Sequence, residues 1–232
     1  MRFPKPLQPA IFLRRYKRFL VDVRLPDQSE VAVHCPNTGS MTGCLAPGCE
    51  VRLLDSDSPA RKCRYTLELT RPGTGWIGVN TSRTNALVRE AIQTGVVTEF
   101  GAIDHCQAEV KVSARSRLDF RLQRGKQSIY MEVKNCTLAE NGAALFPDAV
   151  TARGSKHLRE LVDLRRQGHG AAVFFCVQRH DANRFAPASH IDPDYAHTLR
   201  EAAQAGVMVL AYQAEVEETG IVVRRSLPVD LE

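Results

Sequence analysis

The sequence predicts a small all-β barrel over residues 1–80, followed by an α/β domain with a mixed sheet over residues 81–232. Three observations carry this. Short alternating apolar runs separated by turn residues fill the first third, the apolar period changes after Asn80 from strand-like to helix-like, and helices and strands then alternate to the end.

Residues 21–25 alternate apolar and polar side chains, Pro26 to Ser29 supply turn chemistry, and Val31-Ala32-Val33 resumes the strand. Residues 51–54, 65–69 and 76–79 make further short strands, set apart by Pro47-Gly48 and Arg71-Pro72-Gly73. About five strands in so short a span suit a closed barrel of the oligonucleotide-binding (OB) type, and an SH3-like barrel leaves nearly the same trace.

Beyond Asn80, residues 84–93 place Leu87 and Ala91 on one helical face and end at Gly95. Strands follow at 109–112, 118–122 and 128–134, the last two joined tightly by Arg124-Gly125-Lys126. A helix over 155–167 carries Leu158, Leu161 and Val162 on one flank. The nearly continuous apolar run 171–177 reads as a buried strand, 194–205 as a helix closed by Gly206, and 207–212 as another strand.

Composition bounds the function. The chain has 232 residues, 44% of them hydrophobic and 25% charged, a globular balance that excludes wholesale disorder. No stretch approaches the roughly 18 consecutive apolar residues of a membrane span, and Arg2, Pro4, Lys5 and Pro6 give the start no apolar signal segment, so a cytoplasmic protein with reduced thiols is expected. Cys35, Cys44, Cys49 and Cys63 crowd together, but no Cys-x2-Cys knuckle supports a zinc site. Net charge is +5 over residues 1–80, +5 over 81–180 and −5 over the remainder, and 24 of the 31 basic residues are arginine. A basic body rich in fork-shaped donors suits a polyanion partner.

One constellation carries chemistry. Arg117-Leu118-Asp119-Phe120 is followed by a hairpin and then by Tyr130-Met131-Glu132-Val133-Lys134. In a strand Glu132 and Lys134 share a face, and hairpin pairing sets Asp119 beside Glu132. Two carboxylates held that close make a poor salt-bridge architecture and suit a hard cation such as Mg²⁺ or Mn²⁺. Lys134 then orients or deprotonates a water that attacks a phosphodiester. A solvated sheet face with a Lys–Glu pair gives the same pattern.

The run from Asp119 to Lys134, in its helix, strand, hairpin, strand setting, resembles the restriction-endonuclease-like PD-(D/E)xK superfamily. Further blocks are Leu13-Arg14-Arg15-Tyr16-Lys17-Arg18-Phe19, His34-Cys35-Pro36-Asn37-Thr38-Gly39-Ser40-Met41, Val79-Asn80-Thr81, the long run from Phe146-Pro147-Asp148 to Arg159-Glu160-Leu161, and Ser226-Leu227-Pro228. Through them the whole chain resembles the bacterial and archaeal sugar fermentation stimulation protein A family. The resemblance implies an N-terminal OB-like domain and a C-terminal restriction-endonuclease-like domain. It also implies DNA binding without strong sequence preference, and a link to regulation of sugar-utilisation genes, maltose metabolism above all. By matching positions, Asp119 and Glu132 take the metal-ligand roles and Lys134 the catalytic one. Glu90 is the helical acid, as a third metal ligand, with Glu109 its competitor. The superfamily's strand motif begins Pro-Asp, where this chain has Leu118-Asp119.

Other residues have two readings each. Arg14, Arg15, Lys17 and Arg18 surround Tyr16 and Phe19, either as a single-strand platform or as a barrel strand whose rings fill the core. Asn37, Thr38 and Ser40 bind phosphate oxygens or form a plain turn around Gly39. Asn80 to Arg83 cap a helix, or Arg83 meets a phosphate there. Arg153 and Lys156 open a helix where the superfamily places a second basic group, so both join the expected phosphate contacts and Lys156 the catalytic set. His157 supports the fold or bonds the backbone, and Asp148 orients Arg153 or caps a turn. The expected function is a DNA-binding, Mg²⁺- or Mn²⁺-dependent nuclease. A non-catalytic DNA-binding regulator is the alternative, and an enzyme acting on RNA or a nucleotide the third possibility.

Overall fold

In the computed structural model, which describes residues 1–58, 61–113 and 116–232, apolar alternation builds the barrel. β1 (Gln8–Tyr16) turns Ala10 and Phe12 inward, β2 (Leu20–Arg24) Val21 and Val23, β3 (Glu30–His34) Val33, β4 (Glu50–Asp55) Val51 and Leu53, and β5 (Tyr65–Arg71) Leu67. Burying each such side chain contributes roughly 1.5–3 kcal/mol. β1 to β3 form an antiparallel meander, β4 returns to β1, and β5 pairs antiparallel with β4 and parallel with β3 at Thr66 and His34, which closes the barrel. The ring that β1 sends into the core is Phe12, whereas Tyr16 is half-buried and Phe19 exposed, so the core-filling expectation for those two rings is overturned. The fifth predicted strand, 76–79, shrinks to β6 (Ile77–Gly78); Trp76 lies outside the ladder with the guanidinium groups of Arg52 and Arg71 over its ring, 4.5 and 4.6 Å from the ring centre.

The second unit runs α1 (Thr84–Gln93), β7 (His105–Ser113), β8 (Ser116–Arg124), β9 (Gln127–Cys136), β10 (Leu138–Glu140), β11 (Ala143–Phe146), α2 (Ala152–Arg166), β12 (Gly170–Val177), β13 (Arg184–Pro187), α3 (Pro193–Gln204), β14 (Met208–Glu217) and β15 (Gly220–Ser226). Its main sheet has the order β15-β14-β12-β9-β8-β7, with β9, β12 and β14 parallel and the flanks antiparallel. The barrel's outer face and α1 cover one side, packing Leu69, Leu87 and Val88 on Phe120, Met131 and Phe174. α2 and α3 cover the other with Leu158, Leu161 and Leu199 on Val173, Phe175 and Val177. β12, sandwiched between both, is buried throughout.

The small sheet β10-β11-β13 is not among the predicted elements, since its strands have only three or four residues and no period to read. β1, nine residues long, takes up the barrel-strand reading of Arg14 to Tyr16, and β15, seven residues long, is a further strand outside the predicted set. Residues 1–3 join the second unit rather than the barrel: Met1 exchanges hydrogen bonds with Ile221, and Phe3 donates to the Thr219 carbonyl (3.1 Å), which pairs the β15 edge. No helix among the described residues is long and apolar enough to cross a membrane.

α2 begins three residues before its predicted start because Thr151 caps it, its hydroxyl accepting the Gly154 N–H (3.1 Å). The buried Asp192 joins both helices behind the sheet. One carboxylate oxygen accepts Tyr195 N–H at the start of α3 (3.0 Å) and the other accepts Thr151 N–H (2.8 Å). Asp192→Ala strands the buried Tyr195 N–H and the half-buried Thr151 N–H and is expected to cost about 2–3 kcal/mol in denaturant unfolding, with Asp192→Asn recovering part of the loss.

Candidate active site

The β8–β9 ladder runs from Arg124 opposite Gln127 to Phe120 opposite Met131 and stops there. Beyond it the Asp119 side chain takes over a ladder position: Oδ2 accepts the Val133 N–H at 2.7 Å, while Oδ1 accepts Nδ2 of Asn85 from α1 at 2.8 Å. The strand period points Glu132 and Lys134 to one face. Lys134 Nζ donates to Glu132 Oε1 (2.6 Å), and Nδ1 of the buried His157 lies 2.5 Å from the same oxygen. Glu132 Oε2 is buried with no hydrogen-bond partner among the described residues.

These environments drive the two acids apart. Burial, reinforced by the charge of Glu132, raises the Asp119 carboxyl against the opposing pull of Val133 N–H and Asn85. Burial also pushes Glu132 upward, but the hydrogen bond from His157 and the charge of Lys134 outweigh it and hold Glu132 below the usual carboxylate range. The two neighbouring acids are thus shifted in opposite directions, Asp119 up and Glu132 down. One orphaned carboxylate oxygen and an all-oxygen acid pair fit a hard divalent cation, with Asp119 and Glu132 the residues that would hold it. Among the described residues no cluster of three or more His, Cys, Asp or Glu is placed to hold an ion.

Asp119 and Lys134 line a cleft of about 760 Å³ between the two units. Thr84 and Asn85 contribute the start of α1, the segment 145–151 a second wall, and Arg15, Arg18, Asn37, Thr38 and Ser40 the barrel side. The barrel loop is braced from within and across: Asn37 Oδ1 accepts Gly39 N–H (2.8 Å), Arg15 donates to the carbonyls of Asn37 (2.9 Å) and Ser40 (3.1 Å), and Asp148 Oδ2 accepts Met41 N–H (3.1 Å). Asp148 therefore clamps the barrel loop rather than orienting Arg153. A Cβ on Gly39 would collide with that carboxylate. Gly39→Ala is expected to break the clamp and speed amide hydrogen exchange over residues 37–42, leaving exchange in β12 unchanged.

A second cavity of about 580 Å³ is lined by Lys111, Ser116, Arg117, Arg153, Lys156 and His157. Arg153 Nε lies 3.4 Å from His157 Nε2 and Lys156 Nζ lies 3.8 Å from Glu160. His157 thus links this basic cavity to Glu132, instead of bonding the backbone.

Several expected residues lie elsewhere. The carboxylate of Glu90 sits 2.6 Å from the Met1 amine and does not line the cleft. Five residues along a helix rotate it by about 140° from Asn85, the α1 side chain that does reach Asp119. Its competitor Glu109 is exposed on β7 with Arg117 (2.8 Å). Arg83 makes a two-pronged pair with the fully buried Glu68 of β5, at 2.8 and 3.2 Å. Asn80 caps the short turn before α1 through Ser82. Arg14 pairs with Asp22 (2.8 Å) and Lys17 is exposed at the hairpin tip. Asn85 is the site residue that sequence reasoning missed; its signal is a polar side chain in the first turn of a helix that opens on the cleft.

The family model described as the sugar fermentation stimulation protein RE domain matches residues 82–220, and that of the SfsA N-terminal OB domain matches residues 13–79. The chain belongs to the sugar fermentation stimulation protein family. A homolog from Desulfotalea psychrophila is 51% identical over 231 residues, covering 100% of this chain and 95% of the relative. One from Geotalea uraniireducens is 50% identical over 229 residues, covering 99% of each. The structure of Pyrococcus furiosus SfsA in complex with Ca²⁺ superimposes with a TM-score of 0.90 at 29% identity, over 99% of this chain and 98% of that one. The sugar fermentation stimulation architecture is thus a closed OB barrel followed by a mixed-sheet, restriction-endonuclease-like domain.

Proposed function

We propose that this protein binds DNA through the phosphate backbone, largely without sequence preference, and hydrolyses phosphodiester bonds with Mg²⁺ or Mn²⁺. The observation that carries the reading is the Asp119–Glu132 pair beside the cleft, with Lys134 on Glu132 and one Glu132 oxygen orphaned. The Pyrococcus furiosus relative, solved with Ca²⁺, supports a hard cation.

When bound, the cation supplies Lewis-acid stabilisation of charge on the phosphoryl oxygens. Asn85 and Val133 N–H hold the Asp119 carboxylate in one orientation, and His157 does the same for Glu132. Lys134, at the cleft wall, brings a positive charge to the reacting phosphate and orients the attacking water. Lys17, Arg18, Thr38 and Ser40 on the barrel, with Arg153 and Lys156 on α2, are the proposed backbone contacts. Arg14 adds to the positive field of the barrel side, while Arg15 and Asn37 hold the loop's shape. On this reading the family's connection with sugar fermentation runs through DNA. The seven free cysteines support a reducing cytoplasm as the setting.

The test is cleavage of labelled single-stranded, duplex and branched DNA and of RNA, with Mg²⁺, Mn²⁺ or EDTA, and binding measured in parallel over a salt series. Metal-dependent DNA cutting is expected, with affinity that falls steeply with salt and changes little with sequence. Salt-dependent binding without cutting of any substrate would favour the non-catalytic DNA-binding regulator. Cutting confined to RNA would move the substrate class.

A further inference from the structure

Phe19 is 49% exposed and Val150 77%; with Ile11 they are the large apolar residues the described chain leaves in water. Val150 lines the cleft from the second unit; Phe19 is not itself a lining residue but directly follows Arg18, which lines the cleft from the barrel. Single apolar residues on a surface need no explanation. The turn that presents Phe19 does.

Lys17 and Arg18 begin the three-residue connection between β1 and β2 at φ 49° and 61°. That left-handed region is natural for glycine or asparagine and costs other residues roughly 1–2 kcal/mol each. The strained turn is nonetheless firmly built. The Arg15 guanidinium donates twice to the Arg18 carbonyl (2.9 and 2.6 Å), Phe19 N–H donates to the Lys17 carbonyl (2.8 Å), and the Phe19 carbonyl accepts Cys35 N–H (2.8 Å). It holds a ring in solvent directly after two exposed cations that have no acidic partner among the described residues. Tyr16 cannot share this role, because its hydroxyl bonds Asp22 (3.0 Å) and the Arg14 guanidinium lies over its ring.

We infer that Phe19 is a base-stacking platform and Val150 a wedge, so that the cleft accepts DNA with an unstacked nucleotide at its mouth: a single strand, or a junction of single strand and duplex. This rests on the DNA-binding reading above and names its substrate class. Every base offers a π face to an aromatic ring without sequence preference, adjacent cations match the flanking phosphates, and exposed aliphatic side chains pry apart base steps. A continuous duplex presents no free base face to Phe19.

The test uses the full chain in EDTA and three fluorescein-labelled probes of about 20 nucleotides, longer than one OB-barrel site: a single strand, the blunt duplex, and a fork with a single-stranded arm. Wild type is expected to bind the single strand and the fork about tenfold tighter than the duplex. Phe19→Ala is expected to erase that preference by weakening only those two probes, Phe19→Trp to restore it, and neither to shift the thermal midpoint. Equal wild-type affinity for all three probes, or a Phe19→Ala loss shared equally by all three, would overturn the inference while leaving DNA binding intact. No binding to any probe at low salt would instead sink the DNA reading itself, and this inference with it.

Discussion

Replacing Asp119 with alanine is expected to lower metal-dependent DNA cleavage by at least about 100-fold, with affinity for DNA in EDTA unchanged. Residues that merely orient a metal ligand are typically worth about 10–100-fold, so loss of the ligand itself sets the larger effect. Asn85→Ala belongs to that smaller class, because Asn85 fixes one Asp119 oxygen while Val133 N–H fixes the other. Lys134→Ala removes a charge aimed at the phosphate and is expected to cost about 10²–10³-fold in turnover. Glu90→Gln serves as the control: its carboxylate faces the Met1 amine, and cleavage should be unaffected. Single-turnover rates on one DNA substrate, at a fixed Mn²⁺ concentration, check all four. Equal losses in Asp119→Ala and Glu90→Gln would contradict the placement of the site.

Arg83→Ala is expected to destabilise the fold by about 3–5 kcal/mol, the loss that follows when one member of a buried ion pair is removed. The Glu68 side chain is 0% exposed, and Arg83 supplies both of its side-chain hydrogen bonds. The pair ties the barrel strand β5 to the turn entering α1, so the orphaned charge would sit at the junction of the two units. A domain typically has only about 5–15 kcal/mol of net stability, which makes this a large fraction. Glu68→Gln in the Arg83→Ala background should recover part of the loss, and a paired Met substitution at both positions should be nearly neutral. Urea midpoints at constant slope are the readout, and a loss below about 1 kcal/mol for Arg83→Ala would show that water reaches Glu68.

What could be read from the sequence follows from the range of the interaction concerned. Alternation in β2 to β5, the hairpin at Gly125 and the apolar run of β12 are local patterns, and each element lies where its pattern predicts. The spacing of Asp119, Glu132 and Lys134 is equally local once the hairpin pairs, and the structure brings these three together. Glu90 lies on the helix that precedes the site, but its helical phase turns it about 140° from Asn85 and toward the Met1 amine. Arg83 carries no sign in its neighbours that Glu68 will claim it. Asp148 and Met41 lie 107 residues apart, and only the closed barrel packed on the second unit makes them partners. Phe19 reads like any strand aromatic, and its exposure follows from two left-handed residues before it that no propensity foretells.

The most direct measurement is an anomalous-scattering crystal structure of the protein soaked with Mn²⁺. A single strong peak at coordination distance from both an Asp119 oxygen and Glu132 Oε2, lost in an Asp119→Asn crystal, is the expected result. A peak held by other residues, or none in crystals that remain ordered, would contradict a shared cation at this pair and with it the proposed chemistry.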